Sequence, residues 1–177
     1  MFNFWTHFVI KEICMKIEKI FKNKKIIVTG HTGFKGSWLT LSLKNLGAKV
    51  LGISSNIPTK PSNFLASKIN KDSRNIKLNI KKGEKIKKII NSFKPDFIFH
   101  LAAQALVSVS YKNPKETWDT NLIGTLNILE AVKKLKKKTT LIIITSDKAY
   151  KNVEKRAGYK ETDILAGIDP YSASKSS

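Results

Sequence analysis

The chain has 177 residues, 41% hydrophobic and 26% charged, enough for one domain with a real core and short for two complete ones. A formal charge of +20 invites a nucleic-acid reading. Only Arg74 and Arg156 are arginines, however, and the lysine runs at 81–88 and 133–138 fall where outer helix faces are predicted. A solvated lysine face therefore fits better, and no nucleic-acid partner is expected.

The opening "MFNFWTHFVIKEIC" is apolar but interrupted by His7, Lys11 and Glu12, and a membrane span needs about 20 mostly apolar residues. It lacks the basic start and small-residue cleavage site of a signal peptide, so no membrane partner is expected. Cys14 is the only cysteine, which rules out an intramolecular disulfide and fits a reducing cytoplasm. Residues 1–24 read as an N-terminal extension, and Met15 offers an alternative start that would make 1–14 a mis-assigned leader. From residue 25 onward the chain reads as a single domain.

"KIIVTG" is a β-branched run ending in glycine, the mark of a buried strand, and "GSWLTLSLKNLG" follows with helical spacing. "KVLGISS" predicts a second strand, "NIKLNI" a weaker third, "KIKKIINSF" a helix and "DFIFHLAA" a fourth strand. A long helix is predicted from about Pro114 to Lys136, with Leu126, Leu129 and Val132 among its apolar positions. "TTLIIITS" is a fifth strand, almost continuously apolar, as strands covered on both faces should be. This alternation predicts an α/β fold with a doubly wound parallel sheet, Rossmann-type. The longest irregular segments, 54–62 and 151–170, are where such folds keep their sites.

"TGHTGFKG" places Gly30, Gly33 and Gly36 between the first strand and the first helix, where backbone N–H groups can approach a pyrophosphate at the helix's positive end. "HLAAQ" ends the fourth strand, "NLIGTLNILEA" opens at Asn121, "TSDKAY" follows the fifth strand, and "YSASK" sets Tyr171 and Lys175 four residues apart. Together, in this order, these five motifs resemble the extended, nucleotide-sugar-modifying branch of the short-chain dehydrogenase/reductases. Within it, "GHTGFKGSWL", "SDK" and "DPYSASK" look like the CDP-glucose 4,6-dehydratases.

The resemblance implies bound NAD and a CDP-glucose substrate. It implies cofactor contacts from Gly30, Thr32, Gly33, Phe34, Lys35, Gly36, Ser54, Asn79, Leu101, Ala102, Ala103, Gln104, Asn121, Tyr171 and Lys175. Tyrosinate is a base only if its pKa of about 10 is lowered, and Lys175, one helical turn away, supplies the positive charge. Tyr171 would take the proton of the sugar 4-hydroxyl, with Ser146 bonded to the same group. Asp147 would protonate the departing 6-hydroxyl, and Lys148, or a water it orients, would take the C5 proton. No metal site is expected.

Two positions depart from the pattern. The acidic residue expected about 20 positions after the glycines is replaced by Ser54 and Ser55, which leaves NAD against NADP open. Asn79 stands where many relatives carry Asp. Members of the branch continue into a carboxyl-terminal region that grips nucleotide and sugar, so this chain is expected to be the cofactor half, truncated before the substrate-binding region. Alone it should be inactive or nearly so, and a homodimer is expected at full length. Relatives supply deoxysugars for bacterial surface polysaccharides. Other nucleotide-sugar dehydratases or epimerases, and a non-catalytic NAD-binding remnant, are the alternative readings.

Overall fold

The computed structural model describes residues 16–69 and 74–177. Cys14 and the 1–14 segment lie outside the described residues. Five parallel strands form one sheet in the order β3-β2-β1-β4-β5: β1 Lys25–Thr29, β2 Lys49–Ser54, β3 Arg74–Lys77, β4 Phe97–His100 and β5 Thr140–Ile143. The order reverses between β1 and β4, and in open α/β sheets the crevice at such a switch point holds the ligand.

Strand alternation sorts the core into two layers. Ile27, Leu51, Ile53 and Ile98 face Ile86 and Ile90 of helix α3 (Gly83–Phe93) and Ile128 and Ala131 of helix α6 (Gly124–Lys133). Ile26, Val28 and Val50 face the other way, against Leu39 and Leu43 of helix α1 (Phe34–Asn45). The sheet is thus covered on both faces, and each fully buried Ile or Leu contributes about 1.5–3 kcal/mol relative to exposure. Phe21, ahead of β1, joins the second layer edge-on to Phe97, with ring centroids 5.3 Å apart. Among the described residues no helix is long and apolar enough to cross a membrane.

Four local outcomes differ from the sequence expectations. The third strand is Arg74–Lys77 and stops before Asn79, because the Asn79 side chain accepts the Lys81 N–H at 2.9 Å and turns the chain out of the sheet. The predicted long helix is α5 (Pro114–Trp118), a π-helical turn over Asp119–Ile123, and α6. Its buried residues include Ile128 and Ala131, whereas Leu126 and Leu129 are 48% and 44% exposed. β5, expected to be buried on both faces, is only half-buried, since it is the terminal strand and its outer edge is unpaired among the described residues. Short helices α2 (Asn63–Ala66) and α4 (Val107–Lys112), absent from the expectations, also form. The chain ends in helix α7, Pro170–Ser176.

Candidate functional site

The carboxyl ends of the strands open into a cleft of about 690 Å³. Its floor is the turn from β1 to α1. Gly30 takes a left-handed backbone (φ 73°), and a Cβ there would stand 2.7 Å from the Ala102 backbone nitrogen. At Gly36 a Cβ would stand 2.1 Å from the Gly30 carbonyl oxygen. Only glycine permits so tight a turn beside the end of β4. The turn is closed by Gly33 N–H donating to Gly30 O at 3.0 Å and Ser37 N–H to Gly33 O at 2.8 Å.

Fourteen of the fifteen predicted cofactor residues line this one cleft: Gly30, Thr32, Gly33, Phe34, Lys35, Gly36, Ser54, Asn79, Leu101, Ala102, Ala103, Gln104, Tyr171 and Lys175. Asn121 is the exception. Its side chain is buried, accepts the Gln104 N–H at 2.8 Å, and donates to Gln104 O at 3.1 Å and to Ser174 Oγ at 2.9 Å. The π-helical turn, Asp119–Ile123, carries it there. Asn121 thereby fastens the loop after β4 to the helix that bears Tyr171 and Lys175.

That helix is held at both ends. Asp169 caps its start, accepting the Ser172 N–H at 2.9 Å and the Ser172 hydroxyl at 2.5 Å, with Pro170 in the first turn. Burial would raise the Asp169 carboxyl, but these bonds, the Tyr171 N–H and the Lys148 charge outweigh it and hold the group below its usual range. Farther along, Ser176 Oγ donates to Ala149 O at 2.8 Å, and Lys175 Nζ reaches Ile144 O at 3.2 Å. Burial lowers the Lys175 ammonium below its ordinary value.

Ser146, Asp147 and Lys148 follow Ile144 and Thr145, which line the cleft, but are not themselves lining residues. Ser146 caps a 3₁₀ turn over Asp147–Ala149, accepting the Lys148 N–H at 3.2 Å and donating to Asp147 Oδ1 at 3.1 Å. Among the described residues no group of His, Cys, Asp and Glu is arranged to hold a metal.

Behind the cleft runs a buried chain of polar side chains that the sequence reading did not single out. Ala102 N–H donates to Thr29 Oγ1, whose hydroxyl donates to His100 Nδ1 at 2.6 Å. Thr125 gives its own proton to Asn121 O at 2.6 Å, so His100 must donate from Nε2 to Thr125 Oγ1, 3.0 Å away. Burial, aided by the Lys175 charge, pushes His100 down to about 4, so the imidazole is neutral, Nε2 carries its one proton and Nδ1 accepts from Thr29. Burial also lowers His31, against smaller opposing contributions from Ile53 and Asn75. Glu116 and Thr120 line the cleft as well, and Glu116 is held below its usual range by an ion pair with Lys81 at 2.5 Å. Only their place in the fold, not a motif, could have revealed them.

The family model described as GDP-mannose 4,6 dehydratase matches residues 27–177. The chain belongs to that family. It is 46% identical to the CDP-glucose 4,6-dehydratase of Salmonella typhimurium, covering 90% of this chain and 45% of that protein. With a GDP-mannose 4,6-dehydratase of Vibrio cholerae it shares 33% identity over 86% of this chain and 43% of the relative. The chain thus spans about half the length of the curated relatives it matches. Among solved structures, the UDP-glucose 4-epimerase of Thermotoga maritima with UDP-glucose superposes with a TM-score of 0.73 at 31% identity, over 86% of this chain and 48% of the other. The Thermus thermophilus UDP-glucose 4-epimerase complex with NAD gives 0.70 at 28% identity, over 85% and 47%.

The buried histidines yield a pH prediction. An unfolded imidazole titrates near 6.5 while folded His100 stays neutral to about 4, so the unfolded state binds more protons across that window. Native stability is therefore full above about pH 6.5 and falls as pH drops toward 4, by on the order of 3 kcal/mol for His100, with His31 adding in the same direction. Urea unfolding between about pH 7 and 4.5 should show a shallower loss in His100→Asn than in the unsubstituted chain. Equal slopes would contradict the assignment.

Proposed function

We propose that this chain is the dinucleotide-binding part of a nucleotide-sugar 4,6-dehydratase that converts CDP-glucose to CDP-4-dehydro-6-deoxyglucose and water. The observation that supports the reading most is the meeting of the Gly30–Gly36 turn and the Tyr171–Lys175 pair on one cleft. The cleft's volume, about 690 Å³, and its tight glycine floor suit a dinucleotide. The 46% identity to a CDP-glucose 4,6-dehydratase favours that substrate over GDP-mannose or a UDP-sugar.

NAD, held by the Gly30–Gly36 turn and Lys175, would supply a reversible hydride acceptor for the sugar. The chain's own residues manage protons. Tyr171 accepts the proton of the 4-hydroxyl, with Lys175 one helical turn away on the same cleft. The ketone formed at C4 acidifies the C5 proton, which Lys148, or a water it orients, removes. Asp147 protonates the 6-hydroxyl so that it leaves as water, and Ser146 hydrogen-bonds the reacting 4-hydroxyl. For Ser146 this requires its hydroxyl to turn from Asp147 Oδ1, to which it now donates at 3.1 Å. Lys148 then returns its proton to C5, and the proton taken up by Tyr171 passes through solvent to Asp147, so the sequence loses one water with no net oxidation. A reducing cytoplasm, consistent with the lone cysteine, is the proposed compartment.

The exposed stripe of Ile123, Leu126 and Leu129, spaced by three residues along the helical segment, is proposed as the face that packs against a second copy. Neighbouring apolar residues of this size are normally covered when contiguous.

Both parts are testable on a chimera joining this chain to the carboxyl-terminal portion of the Salmonella relative. With NAD and CDP-glucose it should form the 4-keto sugar, and Tyr171→Phe should lower turnover by about 10²–10⁴-fold. A chimera that binds NAD but turns over neither CDP-glucose nor another nucleotide sugar would replace the catalytic reading with a binding one. In sedimentation velocity the chimera should be dimeric and its Leu126→Lys variant monomeric. An unchanged dimer in the variant would place the interface elsewhere.

A further inference from the structure

The dinucleotide reading leaves one part of the molecule unexplained. Beside the main cleft, and sharing Thr32, Ser54 and Asn56 with it, lies a second cavity of about 380 Å³. It runs over the face of the sheet at the ends of β2 and β3 and is lined there by Asn75 and Lys77. At the end of β2 a dinucleotide-binding fold usually presents a carboxylate to the adenosine ribose, and that carboxylate accepts the 2′-hydroxyl and repels a 2′-phosphate. Here the position is Ser54, a neutral hydroxyl 3.3 Å from the Thr32 N–H and 2.9 Å from His31 Nδ1.

Charge around this point is one-sided. Among the described residues no carboxylate lines the second cavity. Among the described residues Glu116 is the one carboxylate lining the main cleft, and it is paired with Lys81. Lys77 is the register partner of Ser54 in the parallel ladder, so the two side chains leave the same face of the sheet about 4.8 Å apart at their backbones. The Lys77 stem is long enough to bring its ammonium beside the Ser54 hydroxyl. A hydroxyl donates to a phosphate oxygen as readily as it accepts from a sugar hydroxyl.

The geometry points to a cofactor site that does not discriminate against a 2′-phosphate: the space flanked by Ser54, Asn56 and Lys77 takes the 2′-phosphomonoester of NADP, and the chain binds NADP and NAD with comparable affinity. This rests on the dinucleotide reading proposed above. Ser54 is the discriminating position and Lys77 the cation that compensates the added charge.

Calorimetric titration of the chain with NAD and with NADP, at near-physiological salt, tests it. The expected result is a dissociation constant for NADP within about tenfold of that for NAD. Ser54→Asp should shift the NADP-to-NAD ratio by at least about tenfold toward NAD. Lys77→Glu, at an exposed site where folding is not at stake, should shift it the same way by about fivefold or more. Lys85→Glu, the same charge change on the exposed face of α3, should leave the ratio alone. NADP binding more than tenfold weaker than NAD would overturn the proposal. So would a ratio that Lys77→Glu does not move or that Lys85→Glu moves equally. If a folded chain binds neither dinucleotide, the cofactor reading itself fails, and this inference with it.

Discussion

Asn121 pins the loop leaving β4 to the helix bearing Tyr171 and Lys175. Its amide makes three hydrogen bonds, two to the Gln104 backbone and one to Ser174 Oγ. In a buried position each such bond is worth only about 1 kcal/mol net, but stranding one partner costs about 1–3 kcal/mol. The arrangement is therefore held less by gain than by the penalty for breaking it. Helix α7 must dock where it does, or leave polar groups unpaired in the interior.

The same logic extends inward. The backbone of Asn121 receives the Thr125 proton, Thr125 receives the His100 proton, and His100 receives the Thr29 proton. Each hydroxyl has one proton to give, so the whole chain has one direction. It ties the ends of β1 and β4, the two strands flanking the switch point, to the wall of the cleft. Glycine at 30 and 36 then lets the turn below close without a side chain in the way. The cleft is thus defined by a floor that lacks atoms and a back wall that cannot shift without losing hydrogen bonds.

Much of this was legible in the sequence where local and global signals agreed. "KIIVTG" followed by a helical pattern gave β1, the turn and α1, because a buried parallel strand needs β-branched residues and the turn needs glycine. Twelve of the fourteen cleft residues were likewise readable from the motifs, and Ser54 and Asn79 from their places after the second and third strands, since motif order fixes which strand ends meet. Asn121 was not. Helical spacing runs unbroken from Pro114 onward, and nothing in "WDTNLIG" announces a π-helical turn that aims the amide at Gln104 and Ser174 in place of the cleft. "VSVSYK" alternates like a strand yet forms α4, where tertiary packing overrides a weak local preference. The apolar run of β5 reads as doubly covered, but coverage depends on what stands beside the strand, which its own residues do not encode.

The central claim is that one cleft, floored by the glycine turn and walled by the Tyr171 helix, receives a dinucleotide. The most direct measurement is a titration of isotopically labelled chain with NAD, followed through backbone amide resonances. The account predicts saturable shifts centred on Gly30, Gly33, Gly36, Ala102, Gln104 and Lys175, with the lysine-rich face of α3 and the lysine run at 133–138 unmoved. Shifts confined to those lysines, or no shifts in a folded chain, would contradict it.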